Sequence, residues 1–197
     1  MSENSPIKDA LYSKISVIGQ ESIHNLLLGK KYSELFSITY ENVLKSIKEK
    51  IDENEKAGTL MESLTHYLFT EMLIPSQRKI IYKNMELDII IPNLMELKKN
   101  PHNSILIFFV KSSNYKMIKQ RIKEIKKIQK LDENIWIISK EKISISQRNY
   151  KIEKESFGKF LQDAQNFTKL KNMNKLNIFK TKIWHINKIC KIIYVEI

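Results

Sequence analysis

Apolar residues recur along this chain at two spacings, and the change from one to the other organises it. Leu11, Ile15, Ile18, Leu26 and Leu27 follow near-helical spacing over residues 8–28, and Phe36, Tyr40, Val43, Leu44, Ile47 and Ile51 do so over 33–51. This predicts two amphipathic helices. The charged run Lys48 to Lys56, closed by Ala57-Gly58, reads as a helix end or a solvated linker and sets a boundary at Gly58. A helix over 59–73, stopped by Pro75, follows. The pattern then becomes that of strands, at 78–82 and 85–91, joined by Lys83-Asn84 as a tight hairpin turn. After a loop from Pro92 to Asn103 comes a buried strand at 104–111. A long helix over 114–131 has Ile118, Ile122, Ile125, Ile128 and Leu131 as its inward stripe, and a strand at 134–139 closes the unit. Residues 143–152 suit an edge strand or hairpin and 154–170 another helix, while 176–197 alternates Lys or Asn with Ile, Trp and Tyr in a manner that suits strand pairing or docking.

The element order αβββαβ, with a hairpin leading into a central strand and a helical crossover to a parallel neighbour, predicts an α/β fold with a mixed central sheet. Three regions follow: an N-terminal helical region at 1–57, a core at 58–153, and a C-terminal helix and tail at 154–197 packing on that core. With 42% hydrophobic and 28% charged residues and only four Gly and four Pro, the composition is that of a folded chain, not a disordered one. No apolar run approaches the roughly 20 residues that span a bilayer. The N-terminus has no secretory pattern, and the single cysteine, Cys190, reads as a packed thiol. The expectation is a cytoplasmic protein without a membrane partner.

The net charge of +12 favours a polyanionic partner, with DNA first. Almost all the positive charge is Lys, with Arg only at 78, 121 and 148, so contacts should fall on the phosphate backbone with low sequence specificity. A bias toward Ile, Asn and Lys would give the same charge without nucleic-acid selection.

Two strands end in charge. Residues two apart share a strand face, so Glu86, Asp88 and Ile90 are expected to point one way and Leu87, Ile89 and Ile91 the other. Asp88 inside Leu-Asp-Ile-Ile-Ile must be paired, hydrogen-bonded or bound to a cation. Lys111, at the end of an apolar strand and on the face of Ile107 and Phe109, poses the mirror problem. Both are solved if the two side chains meet at one end of adjacent strands.

Gly58-Thr-Leu-Met-Glu62 opening a helix, Glu86-Leu-Asp88 in the second strand and Val110-Lys111-Ser112-Ser113 ending the third together resemble the PD-(D/E)xK nuclease superfamily. This is the restriction-endonuclease-like fold that includes Holliday-junction resolvases, and the resemblance covers about residues 58–140. It implies Mg²⁺ (or Mn²⁺) held by Asp88 and the Val110 carbonyl, Lys111 orienting or activating water, Glu62 assisting from the helix and, by analogy, a homodimer. The chain departs from the pattern at Phe109, where the second metal-binding acid should stand. Glu86 or Glu62 would have to supply the missing oxygen. Other readings compete: Asp88 and Lys111 as a plain buried ion pair, Glu62 as the partner of Thr59 in a capping box, and Glu71, on the apolar face with Leu60, Leu64 and Leu68, as the inward acid. His66 stands one turn from Glu62.

The helix at 114–131 carries Lys116, Lys119, Arg121, Lys123, Lys126, Lys127 and Lys130 against a single Glu124, a repulsive face that phosphates would relieve. Tyr115, Trp136 and Tyr150 are stacking candidates, with Trp136 in Ile-Trp-Ile better suited to the core. The leading expectation is a degenerate, DNA-binding pseudo-nuclease. A divergent Mg²⁺-dependent endonuclease and a protein-interaction module are the alternatives.

Overall fold

The structure is a computed structural model that describes residues 5–171; the 176–197 segment and Cys190 lie outside the described residues. The N-terminal helices are more broken than the hydrophobic spacing predicts. Helices α1 (Pro6–Ile18) and α2 (Gln20–Leu28) replace one long helix, because Gly19 takes φ 83 and its N–H closes the end of α1 on Ile15. Likewise α3 (Tyr32–Phe36), a π-turn (Ser37–Glu41) and α4 (Asn42–Ser46) replace the predicted helix over 33–51.

Helix α5 (Glu53–Glu71) overturns the boundary at Gly58. The Asp52 side chain accepts from the N–H groups of Asn54 and Glu55, and Glu53 and Glu55 in the first turn suit the positive end of the helix. The charged run is therefore the start of the helix, not a linker. Thr59 sits inside α5, so the expected capping box with Glu62 does not exist. Gly58 is needed for packing: a Cβ there would fall 2.5 Å from the Val110 carbonyl oxygen and 2.9 Å from Lys111 Cγ.

The sheet is built from β1 (Gln77–Tyr82), β2 (Met85–Ile91), β3 (Ile105–Phe109), β4 (Ile135–Ser139) and β5 (Arg148–Lys151), in that spatial order. The first two pairings are antiparallel and the last two parallel, which gives the predicted mixed sheet. Lys83 (φ 49) and Asn84 (φ 58) form the hairpin turn. A short helix α6 (Leu94–Lys99), capped by Asn93, occupies what reads as loop in the sequence. Helix α7 (Tyr115–Lys126) crosses from β3 to β4, and α8 (Lys154–Leu170) follows β5.

One face of the sheet packs Ile89, Ile107, Phe109, Trp136 and Ile138 against α1, α5 and α8; the other packs Leu87, Ile90, Leu106, Ile135 and Ile137 against α7. Because α1 and α8 join the same core as α5, the three regions expected from sequence share one hydrophobic interior.

The membership of these two faces corrects the expected alternation along β2. Leu87 faces α7, whereas Ile89 and Ile91 face α5. The pleat is reset at Asp88. In β1 the matching reset falls at Lys79, which takes φ 52 between the Arg78–Ile89 and Ile80–Leu87 pairs. A left-handed φ at a Lys turns the strand over without changing its register, and it brings Arg78 to the α5 side.

The close seating of α5 is open to test. In a Gly58→Ala variant, overpacking against a backbone carbonyl should outweigh the better helix propensity of Ala, for a net loss of about 1–2 kcal/mol in denaturant unfolding. A variant as stable as the parent would show that α5 does not rest on Val110.

Candidate functional site

Strand β2 pairs with β3 only from Ile89 to Ile91, and beyond that point the two strands separate. The Asp88 side chain takes over from the ladder: its Oδ2 accepts the Phe109 N–H at 2.8 Å. A buried carboxylate is thus fixed at the point of divergence. Two residues past Phe109, Lys111 turns toward α5, and Glu62, one helical turn after Gly58, meets it there.

Four charges assemble. Lys111 Nζ lies 2.7 Å from Glu62 Oε2 in an ionic contact, and it donates to Asp88 Oδ1 at 3.3 Å. Arg78 Nε donates to Glu62 Oε1 at 2.6 Å while its second nitrogen reaches the Ser63 hydroxyl at 3.0 Å. Two acids and two bases close a neutral quartet, in which Glu62 is wholly buried and Asp88 is 6% exposed.

The two acids titrate in opposite directions for one reason. Burial pushes the Glu62 carboxyl up, but Lys111 and Arg78 together outweigh it and hold the group below its ordinary value. Burial also pushes Asp88 up; there the shared Lys111 does not compensate, Glu62 adds to the rise, and the group lies above its ordinary value. A unit pair about 4 Å apart attracts by about 4 kcal/mol at an effective dielectric near 20, so a second cation decides which way each acid moves. Lys111 is pulled down by burial and raised further by Asp88 and Glu62, and it stays charged.

Of the residues singled out from sequence, Asp88, Lys111 and Glu62 come together. Glu86 does not join them: it is exposed on β2 opposite Ile81, and its backbone carbonyl accepts from Arg121. Glu71 is no rival to Glu62, because it accepts from Gln20 on α2. The Phe109 ring is fully buried among the residues facing α5, so this position supplies packing and no ligand oxygen. His66 is half-buried beside Arg78, and burial first, then Arg78, lowers its pKa. Arg78 is the member that sequence reading missed. Strict alternation would group it with Ile80 and Tyr82, and only the reset at Lys79 turns it toward Glu62.

The donor set does not fit the divalent cation that the resemblance implies. Both Glu62 oxygens and Asp88 Oδ1 face Lys111 or Arg78, and Asp88 Oδ2 accepts an N–H. The Val110 carbonyl lies against Gly58. The Lys111 ammonium occupies the space between the two acids.

Beside this quartet, a groove of about 1030 Å³ runs between α7 and the separated ends of β2 and β3. Asp88 and Lys111 line one end, and Lys116, Lys119, Arg121 and Lys123 line the α7 wall. Lys126, Lys127 and Lys130 lie away from it, and Lys126 pairs with Asp132 at 2.9 Å. Tyr115 is exposed, whereas Trp136 and Tyr150 are core residues packed edge-on against Phe160. No helix among the described residues is long and apolar enough to cross a membrane. Comparison with known proteins finds no matching family model, curated protein or solved structure.

Glu62→Gln should destabilise the fold by about 3–5 kcal/mol, toward the lower figure because Lys111 keeps access to solvent. The lowered pKa of Glu62 means that its contribution is present above its ordinary value of 4.5 and lost as pH falls through the folded value. The stability gap between parent and variant, followed by urea unfolding at stepped pH, should narrow below that point. A gap that stays constant to low pH would remove Glu62 from the ionised quartet.

Proposed function

We propose that this protein has a restriction-endonuclease-like fold, binds DNA through the α7 groove, and does not hydrolyse it. One observation carries the reading: the Lys111 ammonium stands between Glu62 and Asp88, with Arg78 completing the neutralisation, at the end of a groove walled by Lys116, Lys119, Arg121 and Lys123. A cation fixed to the chain takes the space that a divalent metal would share. The basic wall offers point charges for phosphates, which suits backbone contact with weak sequence preference.

Affinity for DNA should therefore fall steeply with salt. Replacing Lys116, Lys119 and Lys123 with Ala should flatten the logarithmic salt slope, for each phosphate that is no longer neutralised, by about 0.7 on a single strand or about 0.9 on duplex DNA. Fluorescence anisotropy between low and moderate salt measures this. The absence of DNA binding at low salt would overturn the reading.

A second reading, a divergent Mg²⁺-dependent endonuclease hydrolysing DNA phosphodiesters, draws on the convergence of Asp88, Glu62 and Lys111. Incubation of single-stranded, duplex and branched DNA with Mg²⁺ or Mn²⁺ separates the two. Cleavage by the parent that disappears in both Asp88→Ala and Lys111→Ala would establish the enzyme; no cleavage is expected.

A further inference from the structure

The wall chemistry of the α7 groove goes beyond phosphate attraction. Beside its basic residues the groove also presents apolar surface, with Tyr115 at 45% exposure, Met117 at 61% and the half-buried Phe108 lining the same concavity as the acids Glu86 and Glu124. Lys119 Nζ lies over the Tyr115 ring, 4.6 Å from its centre, so an exposed aromatic ring and an ammonium are already coupled at this wall. From this arrangement we infer that the groove takes a single strand of DNA, with bases against Tyr115 and Phe108 and phosphates on Lys116, Lys119 and Lys123. The inference rests on the DNA-binding reading above.

Shape and chemistry both favour one strand over two. A helix reads duplex DNA by protruding into a major groove about 12 Å wide. Here α7 is instead one wall of a concavity, tied down by Arg121 on the Glu86 carbonyl and by the Tyr115 hydroxyl on the Ser144 carbonyl at 3.3 Å. Duplex DNA offers such a wall mostly phosphates and sugars, which gives the apolar surface nothing to bury. Unpaired bases offer flat apolar faces, and stacking on one aromatic ring is equivalent to roughly tenfold in affinity per base. Sites of about 300–1,000 Å³ enclose ligands of drug size, so a concavity of about 1030 Å³ has room for a short run of bases. The exposed Glu86 carboxylate at the groove disfavours phosphates there, yet it accepts hydrogen bonds from base amino groups.

The test uses the full chain with labelled oligo(dT), oligo(U) and a mixed-sequence duplex at low salt. Oligo(dT) should bind about tenfold more tightly than duplex, and Tyr115→Ala should lose about tenfold of that affinity with little effect on duplex, consistent with one stacked base. Tyr115→Phe keeps the ring and lacks the hydroxyl that reaches Ser144, so it should bind oligo(dT) like the parent. Thermal unfolding of both variants checks that they fold. Duplex bound as well as oligo(dT), with Tyr115→Ala neutral, would overturn the single-strand inference and leave the DNA-binding reading standing. Tighter binding of oligo(U) than oligo(dT) would overturn the assignment to DNA. If no nucleic acid binds, the underlying reading fails first.

Discussion

A carboxylate with no access to water, Glu62, needs positive charge from two directions, and the architecture around it follows from that need. One cation, Arg78, comes from the first strand, and the other, Lys111, from the end of the third. Neither neighbours Glu62 in sequence, so the pairing ties β1, β3 and α5 together at one point. Leaving such a group unpaired costs several kcal/mol, comparable to much of the net stability of a domain. The other local departures serve this junction. Gly58 lets α5 approach the Val110 carbonyl, and the left-handed Lys79 turns Arg78 to the side where Glu62 lies.

Asp88 shows how the same junction shapes the chemistry beside it. Its carboxylate substitutes for a backbone acceptor where β2 and β3 part, at the margin of the groove. The separation of the strands, and not any single residue, creates the space next to α7. Lys111 belongs to both features, since it neutralises the buried acids and is still 30% exposed toward the groove. The quartet of two acids and two bases thereby balances its formal charges, and the excess of basic residues is left to the α7 wall.

Much of the fold was legible in the sequence because burial imposes periodicity. The hairpin at Lys83-Asn84, the apolar third strand, the crossover helix with its isoleucine stripe and the strand at Trp136 were read from spacing alone. So was the meeting of Asp88 with Lys111, since two charges closing apolar strands have few ways to be satisfied. The breaks were harder to read. Gly19 divides α1 from α2 through a positive φ, and Gly58 reads as a boundary although it lies inside α5; nothing local distinguishes a glycine that ends a helix from one that lets a helix pack closely.

The sequence by itself therefore determined the strands and the crossover helix of the sheet and which charged residues must find partners, because these depend on local period and on the cost of burying charge. Tertiary structure alone decided that Arg78 joins the site, that Glu86 stays outside it, and that Lys116, Lys119, Arg121 and Lys123 face the groove while Lys126, Lys127 and Lys130 do not. The first two outcomes hinge on the reset at Lys79 and Asp88. There a single left-handed residue inverts a strand face while the pairing register holds, and composition and alternation carry no trace of it.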